Sequence, residues 1–199
     1  MAKPIHPAEV RTIALPPPQL NNTVTLAEAL QRRHTSREFS PRPLAPDVLS
    51  ALLWSASGVN RPETGHRTAP TARNWQEIDI YVALPEGAYR YAATEHTLQL
   101  VVAADLRAVT GMQDYVGIAP LNLVYVADLD KMVDATPEKR ALYSATDTGF
   151  VAQNVYLYCA AAGLACVVRG WIDREKLGPA LGLRPSQRIT LAQTVGYPQ

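Results

Sequence analysis

Arg32-Arg33-His34-Thr35-Ser36-Arg37-Glu38-Phe39 places three guanidinium groups, an imidazole and two hydroxyls in one short run. Guanidinium forks beside small hydroxyls are the donors that a bound phosphate requires, fixed bidentate cations plus O–H groups. A second reading fits as well, because basic residues complement the dipole at a helix C-terminus. The run alone leaves both open. Most basic residues of the chain are arginine, and several fall between Arg32 and Arg73. That asymmetry suggests a local anion site, with solvated surface arginine as the alternative at each position. Metal chemistry has no comparable signal. His6, His34, His66 and His96 show no ligand spacing, and Cys159 and Cys166 lie in an apolar stretch where buried thiol is the expected state.

Composition narrows the classes. A chain of 199 residues with 47% hydrophobic residues is expected to form one compact domain with extensions. A formal net charge of +1 provides no global field for nucleic acid or an anionic membrane. Residues 1–19 are polar and proline-punctuated, so neither a membrane span nor a cleavable secretory segment is expected, and the chain reads as cytoplasmic.

Several elements must position the run. Residues 1–22 read as an extended Pro-rich arm, either wrapped on a partner subunit or loose, because Pro16-Pro17-Pro18 forbids helix. Residues 23–199 form the single domain. Helical spacing predicts a first helix over Thr25 to His34 and a second from Pro46 to about Ser57. Gly58 to Asn74 is irregular, and loops of that length are usually functional. Strands are expected at Ile78–Ala83, Gly87–Tyr91, His96–Gln99, Pro120–Ala127, Val167–Val168 and Ile189–Val195, with a short helix at Asp105–Val109. Pro137 to Ala162 is one or two helices, very apolar in the second half, which requires a central or interfacial position. A last helix spans Arg174 to Leu181. Together these give an α+β three-layer sandwich with a central mixed sheet flanked by helices.

Four separated segments together resemble the nitroreductase superfamily. Arg33-His34-Thr35-Ser36-Arg37-Glu38-Phe39 is similar to its N-terminal motif, Arg-Arg/His-Ser-x-Arg/Lys-x-Phe/Tyr. Ala69-Pro70-Thr71-Ala72-Arg73-Asn74-Trp75-Gln76 resembles its Ala-Pro-Ser-Ala-Gly-Asn-x-Gln segment. Asp147 to Asn154, followed by Ala162-Gly163-Leu164, resembles its central helix, and Val195-Gly196-Tyr197-Pro198 its closing strand. Leu53-Trp54 and Gly87 to Tyr91 are most similar to the SagB-type dehydrogenase branch.

The resemblance implies one FMN per subunit at a homodimer interface. Arg33, His34, Thr35 and Arg37 would meet its phosphate and ribityl chain, with Ser36 a neutral neighbour and Arg32 either a surface residue or a further ligand. Pro70, Thr71, Ala72 and Asn74 would reach the flavin of the other subunit, where small residues admit a flat ring and an amide pairs with its polar edge. A proline-led turn with Asn74 bonded to local backbone is the competing reading. Arg73 departs from the family's glycine. Val168, Arg169 and Gly170 match the strand end that faces flavin N5, where a backbone N–H donor is needed. Gln113 is a candidate for the pyrimidine side, and Arg67 for an anion. Trp75, Trp171 and Tyr91 could line an acceptor pocket, with core or interface packing the competing reading for each. The sequence ends at Gln199 without the basic tail many members carry, which leaves more of the charge to Arg33 and Arg37. The implied activity is hydride transfer from NAD(P)H to a nitroaromatic, quinone or related small acceptor by a ping-pong cycle, with no protein acid or base named as catalytic. Two alternatives stand beside it: a SagB-like dehydrogenase acting on a peptide-derived ring, and a non-catalytic flavin-binding protein.

Overall fold

The computed structural model describes residues 11–20 and 23–199. The rest of the predicted arm, with His6, lies outside the described residues. Arm residues 11–20 contact the body of their own chain. Strand β1 (Thr12–Ala14) pairs with β6 (Thr97–Val102) of the same chain, and the Pro16 carbonyl accepts from Ser50 Oγ at 2.5 Å.

Local signals account for the helices. In α1 (Leu26–Arg32) the Thr25 hydroxyl accepts from the Glu28 N–H while the Glu28 carboxylate accepts from the Thr25 N–H, a capping box. Helix α2 (Pro46–Ser57) has proline in its first turn, where no N–H is needed. Pro137 to Ala162 forms one unbroken helix, α3, capped by Thr136 and ended by Gly163 at φ 69°, a left-handed position natural to glycine. Asp173 caps α4 (Arg174–Ala180).

The other strands are β2 (Val59–Arg61), β3 (His66–Arg67), β4 (Ile78–Leu84), β5 (Gly87–Ala92), β7 (Leu121–Asp128), β8 (Ala165–Arg169) and β9 (Gln187–Gly196). Strands β2 and β3 form a hairpin inside the stretch predicted to be irregular. The main sheet has the order β1-β6-β5-β4-β7-β9-β8, and every pairing is antiparallel. The expectation of a mixed sheet is therefore corrected. Helix α3 does join two strands that run the same way, β7 and β8, but β9 inserts between them and is antiparallel to both.

Alternation along the strands divides the core between two faces. Ile78, Ile80 and Val82 of β4 pack with Leu52 and Leu53 of α2 and Val151 and Val155 of α3. Tyr81, Val124 and Val126 face Leu177 and Leu181 around α4. The three layers are thus α2/α3, sheet and α4. The second half of α3 is less uniformly buried than its composition predicts: Phe150 is 43% exposed, whereas Asp147 and Thr148 are buried. Cys159 and Cys166 are buried free thiols. No helix among the described residues is long and apolar enough to cross a membrane.

Candidate functional site

The arginine-rich run leaves α1 as extended chain and is laid along β8 by backbone. The Ser36 N–H donates to the Cys166 carbonyl at 3.0 Å, and the Ser40 N–H donates to Tyr197 O at 2.9 Å. Arg32 turns back along the helix to Glu28, 3.5 Å away, with both side chains exposed. His34 Nδ1 sits 2.8 Å from the Arg32 carbonyl, which assigns the proton to that nitrogen. A cleft of about 260 Å³ opens beside the run, lined by Arg32, His34, Ser36, Gly163 and Pro198.

One phenol organises this region. Tyr156 of α3 accepts from the Val168 N–H at 2.9 Å and shares a 3.1 Å hydrogen bond with the Thr35 hydroxyl. The Arg33 guanidinium lies 5.4 Å from the centre of the same ring, within cation–π range. Two segments singled out in the sequence, 33–37 and 168–170, are thereby joined. Among the described residues, the carboxylates within 4.0 Å of a basic group serve Arg32, Arg107, Lys131 and Arg184, and neither Arg33 nor Arg37 has one. An uncompensated guanidinium group beside a hydroxyl, with a second exposed arginine two residues beyond that hydroxyl in the run, suits a dianionic phosphate.

The 70–74 turn stands apart from this cluster. The Ala72 N–H donates to Asp147 Oδ2 of α3 at 2.9 Å. Asp147 and Tyr156 are about two and a half turns apart, roughly 14 Å along the helix. Thr71 Oγ1 accepts from the Gln76 N–H, and Asn74 Oδ1 accepts from Gln76 Nε2 at 3.0 Å, so the Asn74 amide oxygen is engaged within its own turn. Pro70 and Asn74 are exposed. Arg73 and Asn74 have φ of 52° and 55°. The left-handed backbone at Arg73 gives a physical reason for the glycine of the family pattern at that position.

Glu77, just beyond the turn, is fully buried, and neither carboxylate oxygen has a hydrogen-bond partner. Burial first, then the charge of nearby Asp147, raises its pKa to about 7, with Lys131 opposing. Lys131 itself is held by Asp79 at 2.7 Å.

Gln113 lies just before a short 3₁₀ turn (Asp114–Gly117), its buried amide oxygen unpartnered. Val168, the penultimate residue of β8, is half-buried with its N–H already given to Tyr156, and Gly170 is exposed just past the strand. The Arg169 side chain turns inward, 3% exposed, and bonds Thr110, Asn122 and Thr194, so any cofactor contact from this residue must come from its backbone. Arg67 is partly buried with an unpartnered Nε. Of the aromatic candidates, Tyr91 is core and bonds His96 at 2.8 Å, Trp75 packs edge-on against Tyr143, and Trp171 is 66% exposed beside Gly170. Sequence reading missed Tyr156, Asp147 and Glu77. The only local signal for Tyr156 is its place on the buried stripe Ala152–Val155–Tyr156–Cys159, which reads as core.

The Nitroreductase family model matches residues 30–197, a span that contains the run, the turn and the strand end. The chain belongs to the nitroreductase family, a family of oxidoreductases. A nitroreductase-family protein of Methanocaldococcus jannaschii is 30% identical over 163 residues, covering 76% of this chain and 82% of that protein. The crystal structure of a nitroreductase-family protein from Ralstonia eutropha JMP134 is 45% identical, with a TM-score of 0.91 over 100% of this chain and 95% of that one. A nitroreductase-family structure from Desulfovibrio desulfuricans, in complex with FMN, shares the fold at 19% identity and a TM-score of 0.63, over 87% of this chain and 86% of that one.

Proposed function

We propose that this nitroreductase-family protein is an FMN-dependent oxidoreductase. It works as a homodimer and passes reducing equivalents from NAD(P)H to a small quinone or nitroaromatic acceptor, donor and acceptor binding in turn. The observation that carries the reading is the Tyr156 junction, which holds the Thr35 hydroxyl and the Val168 strand end in one frame beside the uncompensated guanidinium group of Arg33. A phosphate monoester fits that donor set, and a redox cofactor with one phosphate fits the family.

Bound FMN would supply the two-electron chemistry, and the chain supplies binding and orientation. Arg33 and Arg37 hold the phosphate, with Thr35 donating beside them and His34, its Nδ1 proton given to the Arg32 carbonyl, flanking the site. Tyr156 fixes the distance from that anchor to the strand end. With the Val168 N–H engaged, Gly170 is the exposed residue there that lets a flat ring approach the backbone. Gln113 offers an amide to the polar edge of the ring. Pro70, Thr71, Ala72 and Asn74, set well along α3 from the anchor, serve the site of the partner subunit. A groove of about 530 Å³ between α2 and α3, lined by Val48, Trp54, Leu157 and Tyr158, together with exposed Leu142 and Phe150, supports a large contact between copies.

The test is the visible spectrum of the purified protein, mass spectrometry of the heat-released cofactor, anaerobic titration with NADH and NADPH, and light scattering. A yellow dimer that releases FMN and is bleached by NAD(P)H is expected. Release of FAD, no flavin after reconstitution, or a flavin-loaded monomer overturns the reading.

A further inference from the structure

Arg169 carries a buried charge that no carboxylate among the described residues balances. Nε donates to Thr194 Oγ1 at 2.9 Å, Nη1 to the Thr110 carbonyl at 2.8 Å, and Nη2 to Thr110 Oγ1 at 3.3 Å and Asn122 Oδ1 at 2.9 Å. Every acceptor is neutral, and among the described residues no carboxylate lies within 4.0 Å. Burial lowers its pKa to about 10, so the group stays cationic at neutral pH. The chain is also shaped around it. A Cβ on Gly111 would collide with Nη1 and come within 2.8 Å of the unpartnered Gln113 amide oxygen.

A buried cation is costly unless paired, and a neutral side chain could bracket Thr110, Asn122 and Thr194 at less expense. The charge itself therefore calls for an anionic counterpart. Arg169 is covalently adjacent to both Val168 and Gly170. A flavin that takes up two electrons and one proton gains one negative charge, and a fixed cation in a region of low dielectric favours that state.

We propose that Arg169 is the fixed positive charge behind the strand end and that it raises the reduction potential of the flavin seated there. The proposal rests on the FMN reading above. Arg169 acts through its field and through the segment it braces, and it touches no substrate.

The experiment is a dye-equilibrated potentiometric titration of FMN-loaded wild type, Arg169→Met, Arg169→Lys and Asn122→Asp. Arg169→Met removes the charge. It is expected to lower the ratio of reduced to oxidised flavin at a given ambient potential by about tenfold, a shift of about 30 mV toward negative values for a two-electron couple. Arg169→Lys keeps the charge and should stay near wild type. Asn122→Asp sets a carboxylate against Nη2 with almost no change of shape. It loses the bond from Asn122 Nδ2 to the Val116 carbonyl and should shift the potential in the same direction as Arg169→Met. If Arg169→Met does not fold, Asn122→Asp decides. A structural bracket alone would leave the Asn122→Asp potential at the wild-type value, and that result overturns the proposal. A wild-type protein that takes up no FMN refutes the earlier reading instead, before any variant is compared.

Discussion

Tyr156→Phe removes a single oxygen and probes the junction on which the functional reading stands. In the wild type that oxygen accepts from the Val168 N–H at 2.9 Å and bonds the Thr35 hydroxyl at 3.1 Å. Without it, the exposed Thr35 hydroxyl turns to water at little cost. The half-buried Val168 N–H has no such recourse, and an unsatisfied donor of that kind costs about 1–3 kcal/mol. For a chain of this size each kcal/mol moves Tm by about 2–4 °C, so a fall of about 2–12 °C is expected. The phenyl ring remains under the Arg33 guanidinium, so the cation–π contact is retained. Thr35→Val is the control, because Tyr156 still accepts from Val168 and only one net hydrogen bond, about 0.5–1.5 kcal/mol, is lost. Calorimetry of the three proteins without added FMN gives the order wild type, Thr35→Val, Tyr156→Phe. FMN titration should show weaker binding in both variants, since both free the anchor. A Tyr156→Phe protein whose Tm lies at or above that of Thr35→Val would refute the reasoning.

Arg33→Ala and Arg37→Ala should each weaken FMN binding by about tenfold to more than a hundredfold, the loss of a charge-assisted pair worth about 1.5–3 kcal/mol. Arg32→Ala, which loses only its exposed partner Glu28, should bind as wild type; equal small losses in a fluorescence titration of all three would make the run a helix end and nothing more. Glu77 has a folded pKa of about 7, above its usual 4.5, so its protonated form contributes stability that is fully present below pH 4.5 and is lost as pH rises through 7. Glu77→Gln should therefore gain on wild type in urea midpoint from pH 5 to pH 8.5, and parallel profiles would contradict the burial argument. Gly58→Ala should destabilise by about 1–3 kcal/mol in the same assay, because an added Cβ collides with the Trp54 ring and comes within 2.7 Å of its carbonyl; a neutral result would mean that Trp54 can swing aside.

Local chemistry made much of this protein legible without coordinates. Helix α2 runs from Pro46 to Ser57 as its first-turn proline and apolar spacing indicate, since both signals act within a few residues of each other. The closing glycine of α3 is equally local. The run 33–37 could be recognised because its donors are contiguous. What remained hidden depends on partners distant in sequence. Thr35 and Tyr156 are separated by 121 positions, and Arg169 meets Thr110 and Asn122 across 59 and 47. No spacing rule reaches that far, so Arg169 read as a strand-end residue rather than a buried cation, and Tyr156 as core. Sheet direction was hidden for the same reason. The helical connection between β7 and β8 suits a parallel pair, and only the tertiary insertion of β9 between them makes every pairing antiparallel. Donor types and element boundaries were written in the order of the residues. Which charges are left without counter-charges, and which hydroxyl meets which amide, was decided by the packing of α3 against the far edge of the sheet.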